Sequence, residues 1–353
     1  MFTQNKIMIK LDINLTQRQL YERGLIVLDN KTVLITGGTG SFGKYFTRYI
    51  LDNYKAKKII IFSRDEYKQY DMKNKHKDSN LQFIVGDVRD KDRVKYAFSN
   101  VDYVIHAAAM KQVTTCEENP VEAIRTNVDG AINIIEAAIC NNVKKVVALS
   151  TDKAVSPINL YGGTKLISDK LFSLANINNP TCDTIFSVVR YGNVACSRGS
   201  VIPFFKQLLD SGSTTLPITD YDMTRFWVDL KEGSELVLKA LATSVGGEIF
   251  VSKIPSFKVV DLAKAMNPHG NIEEIGIRRG EKLHEAMMTA EDSLNTYEYD
   301  SYFAIYPSQE FIKNNSQRIS QGKIVEKGFE YDSKTNSSWL SVEDMKVLLK
   351  NMN

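Results

Sequence analysis

No apolar run in this chain of 353 residues approaches the roughly 20 residues that a membrane-crossing helix needs. The opening stretch, Met1 to Asn30, also lacks the apolar core of a secretory leader. Within it Lys6 to Leu11 has the pattern of a strand and Leu15 to Arg23 that of a polar helix, so residues 1–30 read as an accessory extension. Cysteine is scarce. Cys116, Cys140, Cys182 and Cys196 form no C-x-x-C pair, which argues against a disulfide framework and for free thiols in a reducing, cytoplasmic setting. His76, His106, His269 and His284 lack metal-ligand spacing, so no metal is expected. Charge of one sign is missing too. Lys and Arg number 45 against 42 Asp and Glu, and the net charge of +3 is scattered, with Lys55, Lys57 and Lys58 reading as a solvated turn. Neither nucleic acid nor a membrane surface is implied as a partner. There is no internal repeat and no low-complexity linker. What remains, 43% hydrophobic and 25% charged, is ordinary for a globular protein of one large or two intimate domains.

The first half alternates short apolar strands with helix-patterned stretches. Lys31 to Thr36 reads as a strand, followed by Gly37-Gly38-Thr39-Gly40-Ser41-Phe42-Gly43 and a helix from about Lys44 to Asn53. In this G-x-x-G-x-x-G run the first glycine permits a tight turn and the second lets a pyrophosphate approach the backbone. The third allows close helix–strand packing. Free N–H groups at the helix start, around Thr39, Ser41 and Phe42, would hold the phosphates. The second strand, Lys58 to Phe62, ends in Ser63-Arg64-Asp65. An acid at this place suits the ribose 2′-hydroxyl of NAD, whereas an arginine suits the 2′-phosphate of NADP. Arg64, with Ser63 beside it and Lys68 one helical turn on, favours NADP, while Asp65 leaves NAD open. Leu81 to Val85 is a third strand, and Asp87-Val88 after it suit an adenine ring. Asp102 to Ala109 is a fourth, ending in Ala107, Ala108 and Ala109, small enough for a cofactor to lie against the backbone. Together these predict an α/β fold with a doubly wound, Rossmann-like parallel sheet, its ligand beyond the carboxyl ends of the strands.

The chemistry concentrates in Ser150 to Lys165, S-T-D-K-A-V-S-P-I-N-L-Y-G-G-T-K. The stretch follows the apolar run Lys145 to Leu149, patterned as a buried strand. Tyr161 and Lys165, four residues apart, share one helix face. A phenol near an ammonium loses its proton more readily, so Tyr161 is the candidate to deprotonate a substrate hydroxyl while the adjoining carbon gives up hydride. Thr151 would hydrogen-bond the same oxygen, and Asp152 and Lys153 add an acid and a base. Y-x-x-x-K also arises by chance on surface helices; the glycine loop upstream weighs against that reading.

Beyond a strand at Thr184 to Arg190 the regularity fades. Arginines spread through this polar half, Arg278 and Arg279 among them, are candidates for a diphosphate clamp. The expected organisation is an extension over 1–30, a nucleotide-binding domain over 31–190 with a returning segment near 224–245, and a smaller α/β substrate-binding lobe over 191–353. Lys313 to Lys334 is polar and reads as mobile.

Taken in order, these segments resemble the extended short-chain dehydrogenase/reductases, and among them the nucleotide-sugar dehydratases of the C5-inverting UDP-N-acetylglucosamine group. The resemblance spans roughly Leu28 to Leu349. It is carried by the glycine loop, F-S-R-D-E (62–66), G-D-V-R-D (86–90), H-A-A-A-M-K-Q-V (106–113) and the 150–165 stretch, then by V-V-R-Y-G-N-V (188–194), S-R-G-S-V-I-P-F-F (197–205), M-T-R-F-W (223–227), G-G-E-I-F-V (246–251) and R-R-G-E-K-L-H-E (278–285). It implies that Tyr161, with Thr151 and Lys165, deprotonates the C4 hydroxyl as hydride passes to NADP. Lys153 would then remove the C5 proton and Asp152 protonate the leaving C6 hydroxyl. The substrate implied is UDP-N-acetylglucosamine and the product a 4-keto-6-deoxy sugar of L-configuration, a first step toward pseudaminic-acid-type sugars. Met110, Lys111 and Gln112 would border the sugar and nicotinamide. Asn193, Arg198, Val201, Arg225, Arg278 and Glu281 would bind substrate from the second lobe. A homo-oligomer is implied as well. The chain departs from the resemblance in the extension before Leu28 and in Arg279, where proline is common. The rival readings are a UDP-sugar 4-epimerase or ketoreductase and a non-catalytic NADP-binding sensor.

Overall fold

The structure, a computed structural model, describes residues 28–195 and 199–351. The expected accessory extension therefore lies outside the described residues, apart from its last three positions.

Six apolar runs build the parallel sheet: β1 (Thr32–Thr36), β2 (Lys58–Ser63), β3 (Leu81–Val85), β4 (Tyr103–His106), β5 (Lys145–Thr151) and β6 (Ile185–Tyr191). All five residues of β1 are buried, as expected of a strand covered on both faces. The spatial order β3-β2-β1-β4-β5-β6 reverses direction between β1 and β4. Right-handed crossovers on either side of that switch point place helices on opposite faces and open a crevice between the β1 and β4 ends. This is the doubly wound Rossmann arrangement expected from the sequence.

After β6 the chain crosses between two bodies. A short strand β7 (Asn193–Val194), β8 (Thr215–Ile218) and β9 (Thr224–Val228) belong to a smaller lobe with its own core, in which Phe205, Leu216, Trp227, Phe257 and Leu262 are buried. The helix Leu230–Thr243 returns to pack on the helix Ser41–Asn53, its start fixed by a capping box between Asp229 and Glu232. β10 (Ile249–Ser252) then adds to β6 in parallel, and Tyr302–Ile305, Thr296–Glu298 and Lys323–Ile324 extend the sheet antiparallel.

Two expectations need correction. The returning segment is larger than residues 224–245, because four further strands rejoin the main sheet. Lys313 to Lys334 is built in rather than loose: Tyr331 and Ser333 are 6% and 0% exposed. Between β4 and β5 the helices Pro120–Ile124 and Gly130–Cys140 are joined by a π-helical turn at Arg125–Asp129, a feature that often marks functional sites. Among the described residues no helix is long and apolar enough to cross a membrane.

Candidate active site

The carboxyl ends of β1, β2, β4, β5 and β6 open onto one cleft of about 730 Å³, a usual size for a small-molecule site. Gly37 takes φ +64°, and a Cβ there would stand 2.9 Å from the Ala107 carbonyl oxygen. Only glycine lets β1 turn this close to the β4 loop. Gly40 caps the helix Ser41–Asn53 without a side-chain acceptor, so the first N–H groups of that helix stay available to a phosphate. Thr36 fixes the opposite wall. Its Oγ1 accepts from the Ala107 and Ala108 N–H groups at 3.2 Å each and lies 2.8 Å from His106 Nδ1. The pattern assigns the hydroxyl proton to Nδ1. Burial pushes His106 down to about 3, so the imidazole is neutral.

Every residue expected to hold the cofactor, from Gly37 to Lys165, lines this cleft. At the adenine end Asp65 is committed to its own helix: Oδ1 accepts from the Lys68 N–H at 2.9 Å, and Oδ2 pairs with the Lys68 ammonium. Arg64 is 58% exposed and touches Asp87 only at 3.8 Å.

At the deep end β5 delivers Thr151, and a single 3₁₀ turn carries Asp152 and Lys153. The helix Leu160–Asn178 starts at Asn159, whose Oδ1 accepts from the Gly162 N–H at 2.7 Å. A Cβ on Gly162 would stand 2.1 Å from the Lys153 carbonyl oxygen. Glycine is thus what brings Tyr161 against the Asp152–Lys153 turn. Thr151 donates to Asp152 Oδ1 at 2.9 Å. Lys153 Nζ donates to Asp152 Oδ1 and Asn193 Oδ1, both at 3.0 Å, and forms an ion pair with Glu285 Oε1 at 3.2 Å.

The charges follow from these contacts. Burial alone would lower Lys153, but the Asp152 and Glu285 carboxylates outweigh it and hold the ammonium well above the usual lysine range. Burial pushes the Tyr161 phenol up to about 12, against the opposing pull of the Lys153 charge and a hydrogen bond with Thr151. Lys165 is lowered by burial, with Asp169 acting in the opposite sense. Its Nζ donates to the Leu149 carbonyl at 2.7 Å.

The sequence-based set is partly rearranged. Asp152 is fully buried and stands behind the cleft wall, with Oδ2 lacking any partner. A direct approach of its carboxyl to substrate is therefore replaced by contact through Thr151 or Lys153. Asn193, expected on the substrate, holds Lys153. Arg225 lines the cleft as well, with its guanidinium donating to the carbonyls of Thr224, Leu283 and Lys282 at 2.7, 3.1 and 2.9 Å. Lys111, Val201, Arg278 and Glu281 line the cleft, with Glu281 paired to Arg278 at 2.6 Å. Met110 does not line it; its backbone is tied to Asn127 on the π-helical turn at 2.8 and 2.9 Å. Arg198 lies outside the described residues.

Glu285 was missed in the sequence. Its signal is an acid directly before the apolar strand Ala286–Met288, a place where burial of the charge demands a partner.

Comparison with known proteins agrees with this geometry. A family model described as polysaccharide biosynthesis protein matches residues 33–307. A protein of Campylobacter jejuni subsp. jejuni serotype O:2 named UDP-N-acetylglucosamine 4,6-dehydratase (inverting) is 52% identical over 324 residues, 90% of this chain and 97% of that one. A UDP-glucose 4-epimerase of Rickettsia prowazekii is 43% identical over 91% of this chain and 95% of its own. The X-ray structure of Pen from Bacillus thuringiensis superposes with a TM-score of 0.84 at 38% identity, covering 93% of this chain and 99% of that one. A glycine-turn cleft, a Tyr/Lys helix beside it and similarity along nearly the whole length place the chain in the polysaccharide biosynthesis protein family of extended short-chain dehydrogenase/reductases.

Proposed function

We propose that this protein is a nicotinamide-dinucleotide-dependent UDP-N-acetylglucosamine 4,6-dehydratase that inverts C5. The product would be UDP-2-acetamido-2,6-dideoxy-β-L-arabino-hex-4-ulose, with water released. The observation that carries the reading is the Thr151–Asp152–Lys153 cluster packed beside Tyr161. A 4-epimerase needs Tyr161 and Lys165 but has no task for a buried acid–base pair. The Campylobacter relative named for this reaction supports the same choice; the rickettsial relative named as an epimerase is what keeps the second reading in play.

The cleft suits the dinucleotide, since a glycine turn and an uncapped helix start face it together. A bound cofactor supplies reversible hydride acceptance at C4 and hydride return to C6. Arg64 serves as the 2′-phosphate contact, because Asp65 spends both oxygens on Lys68; NADP is the cofactor in this reading.

Tyr161 takes the C4 hydroxyl proton as the phenolate, the form that the Lys153 charge and the Thr151 hydrogen bond favour against burial. Oxidation at C4 acidifies the C5–H bond, and Lys153, on the cleft wall, removes that proton. An ammonium has no lone pair to offer. A shift of one proton from Lys153 to Asp152 across their 3.0 Å contact supplies a neutral amine and a carboxylic acid at once. Thr151 then passes the Asp152 proton to the leaving C6 hydroxyl, being bonded to Asp152 Oδ1 and exposed to the cleft. Arg278 and Arg279 line the cleft for the diphosphate. The reading carries a homo-oligomer with it.

The test is mass spectrometry of UDP-N-acetylglucosamine incubated with the protein and NADP. Loss of one water supports the dehydratase; an unchanged mass hands the case to the epimerase or to a binding protein.

A further inference from the structure

Lys153 is held from two distant parts of the chain. Asp152 belongs to its own turn, whereas Glu285 comes from the segment leading into the strand Ala286–Met288. Glu285 is 2% exposed. Its backbone is clamped: the Glu285 N–H donates to Ser333 Oγ at 2.9 Å, and the Ser333 N–H donates to the Glu285 carbonyl at 2.8 Å. The next strand is pinned to the main sheet, because buried Arg190 donates to the Met287 carbonyl at 2.8 Å while pairing with Asp169 at 3.2 Å. Glu285 is therefore delivered to Lys153 by rigid parts. Its Oε2 finds no hydrogen-bond partner. A carboxylate kept in such a place is costly unless its charge is used.

We propose that Glu285 is a positioning residue for the elimination, acting through Lys153. While Asp152 and Asn193 accept hydrogen bonds from Nζ, the Glu285 carboxylate pairs with it at 3.2 Å, aims the nitrogen at the cleft and keeps a single shared proton on the Asp152–Lys153 pair. The inference rests on the dehydratase reading and extends it. When Lys153 gives its proton to Asp152 and then takes the C5 proton, positive charge returns to Nζ. The Glu285 carboxylate, 3.2 Å from Nζ, stabilises that charge, and the protons transferred are those of the pair and the substrate alone.

The other groups facing the pair are accounted for. Arg225 Nε lies 3.9 Å from Glu285 Oε1, and Lys282 Nζ lies 4.0 Å from Glu285 Oε2 while donating to the Val155 carbonyl at 2.6 Å. Tyr161 faces Lys153 and Asp152 from the helix Leu160–Asn178. The Arg225 and Lys282 cations favour loss of the shared proton, and Glu285 favours its retention.

The test compares the pH profile of dehydration, and of solvent-deuterium incorporation at C5, for the full-length protein and its Glu285→Gln variant with NADP and UDP-N-acetylglucosamine. Glutamine keeps an acceptor for Nζ and removes only the charge. The expected result is that both limbs of the profile move to lower pH by about one unit. C5 exchange should also slow about tenfold relative to the transient reduced cofactor seen at C4 oxidation. Should Glu285→Gln fail to fold, Glu285→Asp serves, with a smaller shift in the same direction. A profile that overlays the wild type in a folded variant overturns the proposal. A wild-type protein that forms no dehydrated product fails at the earlier step, the functional reading itself.

Discussion

The Lys165 ammonium donates to the Leu149 carbonyl at 2.7 Å, anchoring this half of the Tyr161/Lys165 pair on β5. The positive charge acting most on Tyr161 is that of Lys153. One lysine thus fixes the helix against the strand end, while the other couples the phenol to the acid–base cluster. Tyr161→Phe should cut turnover by about 10² to 10⁴, the usual range for one proton-transfer group. Its melting temperature should fall only slightly, since removing the hydroxyl costs one hydrogen bond, with Thr151, worth about 0.5–1.5 kcal/mol. Steady-state assay and thermal unfolding together check both halves.

Gly162→Ala should be far more damaging than its chemistry suggests. The added Cβ would stand 2.1 Å from the Lys153 carbonyl oxygen, so the helix or the Asp152–Lys153 turn must move. Overpacking of this kind costs about 1–3 kcal/mol. Thermal unfolding should show that loss, and activity should fall with it because Lys153 is displaced.

Cofactor choice should turn on Arg64. Hydrogen bonds to charged groups contribute about 1.5–3 kcal/mol. Arg64→Ala should therefore weaken NADP by roughly 10- to 100-fold while changing NAD little. Titration calorimetry with both cofactors reads the ratio, and equal losses for the two would remove Arg64 from the 2′-phosphate site.

His106 should make the fold sensitive to acid. Its ordinary value is 6.5 and burial takes it to about 3, so between those values the unfolded chain binds a proton that the folded one refuses. Stability from this group is fully present above pH 6.5 and is lost as pH falls toward 3, at up to about 1.4 kcal/mol per unit. His106→Asn keeps an acceptor for Thr36 and cannot titrate. Its melting temperature should fall less steeply from pH 7 to 5 than that of the wild type.

Much of the architecture was legible because its signals are local. β1 with Gly37 to Gly43, and β5 with Ser150 to Lys165, sit in windows short enough for period and turn chemistry to show them. The missing parts depend on contacts between distant segments. Glu285 meets Lys153 only through the pairing of Ala286–Met288 with Tyr331–Asp332, which no spacing announces. That the carbonyls of Lys282 and Leu283 take hydrogen bonds from the Arg225 guanidinium is equally invisible in its sequence neighbourhood. Asp152 and Lys153 are adjacent in sequence, yet only Lys153 reaches the cleft, because the 3₁₀ turn after β5 sends the two side chains to different sides of its wall.

The central claim, dehydration with inversion at C5, is tested most directly by proton NMR of the reaction with UDP-N-acetylglucosamine and NADP in deuterated water. The account predicts a new C6 methyl signal, deuterium at C5 and ring couplings of the L-arabino configuration. A methyl product with D-xylo couplings would contradict the inversion, and no methyl signal at all would contradict the dehydratase.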